Sequence, residues 1–433
     1  MKPAPLLFIL VAVTMILPGC RRQPASLILG ETSTAPAPAT APAPASEPTT
    51  AAVATATGTG PAPEESENAP GNNLKGGPYD VHGLILDETA AIFSQGSTEQ
   101  VTIETSPPGV TIPAPRAATA AADSPLEVVY TSRVIETPFP FNDLVPSWNV
   151  ELPEGTGFRV EIRMGRKAED FWTPFYYFGV WGNAPRPETR VIETSQGVID
   201  VDTFRSTQAF DRIQYRFLLT TSAAGKSPVI RRVGLAFSNT LGDEALAKQH
   251  RQPIDPGPPS GWARRLTVPW RSQKAEDPKI AGSICSPTSV SMVLQFYGVN
   301  VPTAEVAANV FDREYRIYGN WIRAVQTAYQ YGVAGYLQRF GDFEAVKQHI
   351  AAGHPVIASI RVDEAGELRG APYQKSNGHL IVIAGFDANG NLQVNDPAAK
   401  TIEAGVVTYA KEDMQKVWLD HGGVGYVLIG KRR

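Results

Sequence analysis

Residues 285–298 read CSPTSVSMVLQFYG, and this stretch decides the fold of the C-terminal half. Ser286 is a residue type that caps helices, Pro287 suits a first helical position, and apolar residues then recur at helical spacing. Gly298 follows where such a helix would end. The pattern predicts an amphipathic helix after a loop, with Cys285 immediately before the free N–H groups of the first turn.

This location of Cys285 favours a reactive thiolate. The N-terminal end of a helix carries partial positive charge and unpaired N–H donors, which stabilise a thiolate and suit an oxyanion. A cysteine with only a structural role more often lies in the middle of the apolar face of a helix. The stretch therefore predicts that Cys285 is a nucleophile, with a buried structural thiol as the alternative.

A histidine follows in the position expected of a general base. His379 comes after the sequence SNG at 376–378 and opens the apolar run 380–386, which is typical of a central strand covered on both faces. A polar residue at the end of a rigid strand can be held firmly and still face a cleft. A histidine that merely begins a strand is the alternative interpretation.

An acid, Asp396, ends the next strand after a turn around Gly390. A tight hairpin with this turn would set Asp396 opposite Ile383, about 13 Å along the strand from His379. A bulge or a wider loop is therefore required for Asp396 to reach the imidazole. A simple turn role for Asp396 stays open, and so does Asn395 as a substitute, because adjacent strand residues face opposite sides.

From about Leu266 to the C-terminus, the chain resembles the papain-like cysteine peptidase family that includes the bacteriocin (double-glycine leader) processing peptidases. The resemblance implies that Cys285 attacks the substrate, with His379 as its base. It further implies that Asp396 orients the imidazole and that Gln273 helps to hold the oxyanion. The family usually has glycine after the nucleophile, whereas this chain has serine. The motifs that carry the resemblance are Val268-Pro269 before Gln273, Cys285-Ser286-Pro287-Thr288-Ser289, Leu294 to Gly298, Gly378-His379 and Asn395-Asp396-Pro397.

Gln273 also has a physical case of its own. A neutral amide donor stabilises developing negative charge without competing for the proton of the base.

No cofactor or metal is expected, because no glycine loop suited to phosphate is present and the remaining histidines lack partners at metal-ligand spacing. Those histidines are His82, His250, His349, His354 and His421.

The bulk composition excludes one class of partner. The chain has 433 residues, a hydrophobic fraction of 42% and a net charge of −4. This length suffices for two domains with real cores. Basic residues form no run longer than Arg21-Arg22 near the start and Lys431-Arg432-Arg433 at the end, so no electrostatic footprint for nucleic acid is present.

The N-terminus carries an export signal. A charged start precedes the apolar run 6–17, which is too short to span a bilayer permanently. The sequence LPGC at 17–20 resembles a bacterial lipobox, which implies lipidation of Cys20; ordinary secretion is the alternative. In a Gram-negative host, Arg21 favours the outer membrane.

Exported compartments are oxidising, so Cys285, left without an intramolecular partner, is either buried or reactive.

The composition changes along the chain predict a multi-domain protein. A β-sandwich, jelly-roll-like in outline, is indicated by strict alternation at 158–164 and weaker alternation at 213–219 and 233–237. An α+β papain-like domain follows it. The predicted boundaries are 1–20 for the lipoprotein signal peptide, 21–73 for a disordered Pro/Ala/Thr-rich linker, 74–240 for the sandwich, 241–262 for a second linker and 263–433 for the peptidase domain.

Aromatic residues crowd one part of the predicted sandwich, where they can form core or a sugar-stacking platform; core is expected for most of them. The sequence as a whole predicts an exported, lipid-anchored cysteine peptidase whose substrate is a peptide or protein of the bacterial envelope, such as cell-wall peptide. The alternative is a catalytically silent lipoprotein that binds the cell wall or a glycan. The aromatic residues concerned are Trp148, Trp172, Phe175, Tyr176, Tyr177, Phe178 and Trp181.

Overall fold

The structure, a computed structural model, describes residues 76–188 and 193–431. The predicted signal peptide, Cys20 and the linker 21–73 lie outside the described residues. An N-terminal β domain precedes a C-terminal α+β domain, as the sequence predicts. Among the helices of the described ranges, none has the length and apolar character needed to cross a membrane.

The N-terminal domain consists mainly of antiparallel strands, with two single-turn helices between them. Its patterned segments 158–164, 213–219 and 233–237 all lie within strands, as predicted. The elements in chain order are β1 (Val81–Asp87), α1 (Ala90–Phe93), β2 (Thr102–Thr105), β3 (Pro108–Thr111), α2 (Ala114–Ala117), β4 (Leu126–Thr131), β5 (Ile135–Glu151), β6 (Thr156–Arg166), β7 (Phe171–Trp172), β8 (Tyr176–Gly182), β9 (Glu193–Thr194), β10 (Gly197–Asp200), β11 (Thr203–Thr221) and β12 (Val229–Asn239).

Two long strands, β5 and β11, create the layers of this domain. They pair with each other over one part of their length; then β5 continues alongside β12, while β11 continues between β4 and β6. The two layers meet around Trp148 of β5, whose ring lies 6.4 Å from that of Phe158, 6.1 Å from that of Phe217 and 5.0 Å from that of Trp181. The predicted all-β sandwich is therefore confirmed.

Most of the crowded aromatic residues belong to the core. Trp148 and Phe178 are fully enclosed, and three more of the seven are buried. The exceptions are Trp172 and Phe175, which are half-buried. Arginine guanidinium groups lie over both rings: Arg163 is 4.4 Å from the centroid of Trp172, and Arg216 is 4.2 Å from that of Phe175. These contacts cover ring surface that a sugar would need for stacking.

The C-terminal domain surrounds a six-stranded antiparallel sheet with the order β13-β18-β14-β15-β16-β17. The segment predicted as a second linker, 241–262, carries two short helices. The elements are α3 (Glu244–His250), α4 (Pro259–Trp262), α5 (Cys285–Phe296), α6 (Thr303–Val310), α7 (Trp321–Gln330), β13 (Ala334–Arg339), α8 (Phe343–Ala351), β14 (Val356–Val362), β15 (Ser376–Phe386), β16 (Leu392–Asn395), α9 (Ile402–Gly405), β17 (Val406–Tyr409), α10 (Lys411–Val417) and β18 (Val424–Ile429).

Helix α5 differs from its prediction in two respects. It begins at Cys285, not after a Ser286 cap, because the N–H of Thr288 already bonds to the carbonyl of Ile284 at 3.0 Å. The helix is also buried on nearly all sides rather than amphipathic, since it packs between the sheet and α6. Its end is as predicted, because Gly298 has a φ of 85° just after the last turn.

The two domains meet through buried polar contacts. The Asp143 carboxylate of β5 accepts two hydrogen bonds from Arg339, at 2.6 and 3.0 Å. Along the free edge of β13, the N–H of Leu337 donates to the Ser147 hydroxyl and that of Gly335 to the Asn149 amide oxygen. Side chains on the outer face of β5 thus accept hydrogen bonds from backbone N–H groups at the edge of the peptidase sheet.

We expect Asp143→Asn to lower the free energy of unfolding by about 3–5 kcal/mol, because the change leaves buried guanidinium groups without their counter-ion. Arg339 is almost completely buried, and Arg205 also lies near the same carboxylate, at 3.4 Å. Urea denaturation followed by tryptophan fluorescence measures the change.

The matched control is Glu136→Gln, which breaks an exposed ion pair with Lys167 and should cost less than about 1 kcal/mol. Equal stability of the Asp143→Asn and Glu136→Gln variants would show that the buried pair does not hold the domains together.

Candidate active site

Cys285 occupies the first position of α5, at the end of the loop that enters the helix. Its side chain is half-buried, so the sulfur is neither sealed in the core nor fully exposed. The N–H groups of the first helical turn have no partners within the helix, and they lie at the positive end of the helix dipole. The helix therefore presents a thiol at the place where a thiolate is best stabilised.

His379 lies on β15, which packs directly against α5. The strand begins at Ser376, three residues earlier than predicted, because the SNG segment already pairs with β14. The imidazole lies close enough to the thiol of Cys285 for each group to shift the pKa of the other. Its Nε2 donates to Oδ1 of Asp396 at 2.8 Å, so the other ring nitrogen, Nδ1, faces the sulfur.

A β-bulge in the β15–β16 hairpin brings Asp396 to the histidine. Ile383 pairs with Val394, but the next pair joins Gly385 to Gln393, so Ala384 is the additional residue of the bulge. The bulge contributes one position and the five-residue turn 387–391 another, so Asp396 lies just past the strand end and level with residue 381, two positions nearer to His379 than in a tight hairpin. The bulge that the spacing required is therefore present.

The chain before the site locks this bulge in place. The N–H of Leu266 donates to the carbonyl of Ala384 at 2.7 Å, and the N–H of Phe386 donates to that of Arg264 at 3.1 Å. A Cβ on Gly385 would lie only 1.9 Å from the Arg264 carbonyl oxygen, so only glycine permits this approach. The irregularity is thus fixed by neighbouring backbone rather than by the hairpin alone.

The Asp396 carboxylate is fully buried and accepts four hydrogen bonds. Besides His379, Oδ1 accepts from the N–H of Ala398 at 2.9 Å. Oδ2 accepts from the hydroxyl groups of Tyr373, at 3.0 Å, and Tyr409, at 2.9 Å. Asp396 therefore stabilises the turn that follows it, by accepting the N–H of Ala398, and also contacts the imidazole.

Asn395 points elsewhere and does not substitute for Asp396. Its amide nitrogen donates to the carbonyl of Val268 at 2.9 Å, and its oxygen accepts from Arg265. Adjacent residues of a strand face opposite sides, so Asn395 anchors the incoming segment while Asp396 faces the histidine.

The electrostatics of the three side chains favour an ion pair. Burial by itself would lower the pKa of His379, but the charge of Asp396 and the hydrogen bonds to Asp396 and Cys285 raise it to about 10. Burial would raise the pKa of the Cys285 thiol, but the hydrogen bond and charge of His379 outweigh burial and lower it. The N–H groups of Leu380 and Ser286 also lower it. Both shifts favour a thiolate facing an imidazolium over the neutral pair.

Gln273 is buried in a single 3₁₀ turn beside the loop that leads to the nucleophile. Its amide Nε2 donates to the carbonyl of Ala281 at 2.8 Å, and its own N–H donates to the carbonyl of Pro397 at 2.9 Å. Gln273 is therefore tied both to the approach to Cys285 and to the residue after Asp396. The second N–H of the amide is the group that an oxyanion role would use.

Ser286, where relatives of this kind usually have glycine, points away from the cleft. Its side chain is fully buried, and its hydroxyl forms a hydrogen bond of 3.1 Å with the hydroxyl of Tyr426 on β18. The extra atoms are accommodated beneath the helix, so they neither narrow the cleft nor distort the first turn.

Tyr373 and Tyr409 are site residues that the sequence reasoning missed. Tyr373 lies in the β14–β15 loop, with its ring 4.8 Å from that of His379, and Tyr409 ends β17. No spacing marks either residue, because both reach Asp396 through the sheet rather than along the chain. Trp270 was also missed; its indole N–H donates to the carbonyl of Asp396 at 2.8 Å.

The remaining histidines do not join this site. His82 bonds to Ser238 at 2.8 Å, and burial lowers its pKa to about 3. Burial likewise lowers the pKa of His349, to about 4. Within residues 76–188 and 193–431, no group of three or more acidic, histidine or cysteine side chains is arranged to bind a metal.

A cysteine at the start of a central helix, beside a histidine on an antiparallel sheet, defines a papain-like cysteine peptidase domain. Comparison with family models agrees, since residues 265–426 match the Peptidase_C39 like family. Residues 86–238 match the family described as the Peptidase C39 N-terminal domain. The C-terminal domain is therefore similar to the C39-like cysteine peptidases, and the sandwich is similar to the N-terminal domain described for them.

Among solved structures, the chain is similar to a double-glycine motif protease from an AMS/PCAT transporter, crystallised in complex with the leader peptide. The identity is 21%, over 38% of this chain and 92% of that chain, with a TM-score of 0.27. Comparison with curated protein sequences gives no match.

We expect Cys285 to be alkylated by iodoacetamide at pH values where an ordinary thiol, with a pKa of about 8.5, is still protonated. The thiolate exists above the pKa of the folded protein, and that pKa is lowered, so the rate should rise earlier as pH increases. His379→Gln removes the opposing charge and leaves burial uncompensated, so its curve should shift to higher pH.

Mass spectrometry of the labelled peptide gives the rate for Cys285 at each pH. A wild-type curve that coincides with that of free cysteine, or that His379→Gln leaves unchanged, would rule out the ion pair.

Proposed function

We propose that this protein is an exported, membrane-tethered cysteine peptidase that hydrolyses amide bonds in an envelope peptide or protein. The observation that carries the proposal is the placement of Cys285 beside His379, whose imidazole is hydrogen-bonded to the buried carboxylate of Asp396. It supplies a nucleophile, a base and a buried orienting carboxylate in one site. Export and tethering rest on the N-terminal sequence alone.

The first half of the reaction forms an acyl-enzyme. The thiolate of Cys285 attacks the carbonyl carbon of the scissile amide, and the carbonyl oxygen becomes an oxyanion. In the proposed arrangement, the N–H of Cys285 and the side-chain amide of Gln273 hold this oxyanion. The imidazolium of His379 then donates its proton to the leaving nitrogen, the C–N bond breaks and a thioester remains.

The second half releases the product. Neutral His379 takes a proton from water, whose oxygen attacks the thioester carbon. The C–S bond then breaks, which frees the new carboxyl group and restores the thiolate facing an imidazolium. Asp396 keeps the imidazole in the same orientation in both halves, because its own position is fixed by Ala398, Tyr373 and Tyr409.

The burial of Ser286 supports activity over the catalytically silent alternative. A residue other than glycine after the nucleophile would argue against catalysis if it blocked the cleft or displaced the helix. Here its hydroxyl bonds to Tyr426 beneath α5, and the thiol remains beside its base.

The proposed substrate is envelope material because the proposed location of the protein is the bacterial envelope. Lipidation of Cys20 would leave the domain reaching out from the membrane on the linker 21–73, within range of cell-wall peptides and neighbouring envelope proteins. Glycan contact through the sandwich is a lesser part of the proposal, since Arg163, Arg212 and Arg216 lie over its two half-buried rings.

We expect wild-type protein to generate new amino termini in a mixture of purified cell-wall stem peptides and extracted envelope proteins, and Cys285→Ala to generate none. Because the reactive form needs both a thiolate and an imidazolium, the rate should fall at acid pH and again as His379 loses its proton near pH 10. Mass spectrometry of labelled amino termini measures the cleavage.

Ser286→Gly is the matched control, and its rate should stay within a few-fold of wild type because the hydroxyl lies outside the cleft. If wild-type protein and Cys285→Ala give the same products at every pH, the silent binding protein becomes the better description.

We expect Cys20→Ala to move the protein from the membrane to the soluble fraction of the producing cells, because a lipid anchor on this residue would be lost. Cys285→Ala should leave it in the membrane fraction. Metabolic labelling with an alkyne fatty acid, followed by fractionation, tests both; label that persists in Cys20→Ala contradicts the anchor.

A further inference from the structure

A second cavity lies between the two domains and involves none of the residues of the Cys285 site. Its volume is about 400 Å³, within the range of about 300–1,000 Å³ that is usual for ligand sites. The end of β8 and the turn after it form one wall. The end of α6, the loop 311–320 and part of α7 form the other.

Three arginines line this cavity, and among the lining residues that the structure describes there is no aspartate or glutamate. Arg323 is buried with its guanidinium 4.6 Å from the ring centroid of Trp181. Its Nη2 donates to the carbonyl of Val180 at 3.2 Å, and its Nε lies 3.0 Å from Asp312. The group is therefore held in one orientation before any ligand arrives.

The other two arginines are more exposed than Arg323. Arg186 is more than half exposed and lies 3.4 Å from Glu314, while Arg313 is exposed and makes no ion pair within the described residues. Asp312 and Glu314 stand behind the arginines and offset part of their charge. Asp202, which is joined to Asp312 through Asn320, offsets more of it, so the exposed guanidinium of Arg313 is the positive charge that faces an anionic ligand.

The wall formed by β8 is an unpaired strand edge. Among the described strands, β8 pairs only with β6, and a bulge at Gly179 turns its end towards the cavity. Gly179 has a φ of 121°, and a Cβ there would lie 2.7 Å from the ring of Trp181. Backbone groups at a free edge bind extended peptides by adding a strand, which favours a peptide over a small anion. The Val180 carbonyl is already taken by Arg323, so a peptide would pair with the remaining groups of this edge.

The loop 311–320 connects the cavity with the approach to the nucleophile. The ring of Phe311, which lines the cavity, packs 4.8 Å from that of Tyr318. Burial and then the charge of Asp277 raise the pKa of Tyr318, so Asp277 lies near this ring. Asp277 in turn accepts the N–H of Ala281, in the segment that enters α5.

We propose that this cavity is a subsite for an acidic, extended segment of the peptide substrate, remote from the bond that is cut. The identity of the ligand as a substrate rests on the proposed peptidase function, whereas binding itself requires no catalysis. The N-terminal domain thereby takes part in choosing the substrate, because Trp181, Arg186 and the edge of β8 belong to it.

The test measures binding to the full chain carrying Cys285→Ala, which cannot cleave the probe. The probe is a fluorescein-labelled peptide of alternating alanine and glutamate, and its partner has glutamine in place of every glutamate. We expect the glutamate peptide to bind at low salt and the glutamine peptide to bind at least tenfold more weakly, as measured by fluorescence anisotropy. Added salt should weaken the binding.

Arg313→Glu should weaken binding of the glutamate peptide at least tenfold, and Arg186→Glu provides a second variant on the opposite wall. Arg316→Glu is the matched control, because Arg316 is exposed on the same loop but does not line the cavity. Equal losses in Arg313→Glu and Arg316→Glu, equal binding of the two peptides, or no binding at low salt would each overturn the subsite. Specific binding of the glutamate peptide, together with no cleavage of the cell-wall peptides and envelope proteins by wild-type protein, would overturn only the peptidase proposal.

Discussion

The burial of the Asp396 carboxylate is the constraint on which the C-terminal domain depends. A charge removed from water costs several kcal/mol unless it is paired and hydrogen-bonded, and Asp396 is satisfied by four donors from separate segments. His379, Tyr373 and Tyr409 come from β15, the preceding loop and β17, so one carboxylate joins three parts of the domain. The same contacts that compensate its burial hold the imidazole towards Cys285.

The bulge at Ala384 is the backbone counterpart of that constraint. A regular hairpin would leave Asp396 too far along the strand, and an isolated bulge would be free to slip. Backbone hydrogen bonds to Leu266 and Arg264, together with the close approach at Gly385, hold the additional residue in one place. The segment before the nucleophile therefore sets the geometry of the acid, although the two are more than a hundred residues apart.

The sequence predicted the parts of the site that follow from local chemistry. The place of Cys285 at the start of a helix, the strand that carries His379 and the need for a bulge before Asp396 were all predicted from neighbouring residues in the sequence. Tyr373 and Tyr409 could not be found in this way, because their hydroxyl groups reach Asp396 across a loop and the sheet. The predictions for the start and the burial of α5 were also wrong. Its serine and threonine side chains suggest a solvent-exposed face, but their hydroxyl groups are buried and form hydrogen bonds inside the domain.

The docking of the sandwich explains why polar residues occupy the outer face of β5. A face that met water would carry Asp143, Ser147 and Asn149 at no cost, but here all three are buried and bonded to the edge of the peptidase sheet. An unpaired edge strand such as β13 invites association with other chains, and the N-terminal domain removes that hazard. Because the same docking also encloses the arginine-lined cavity, the recognition that we propose between the domains would depend on this interface.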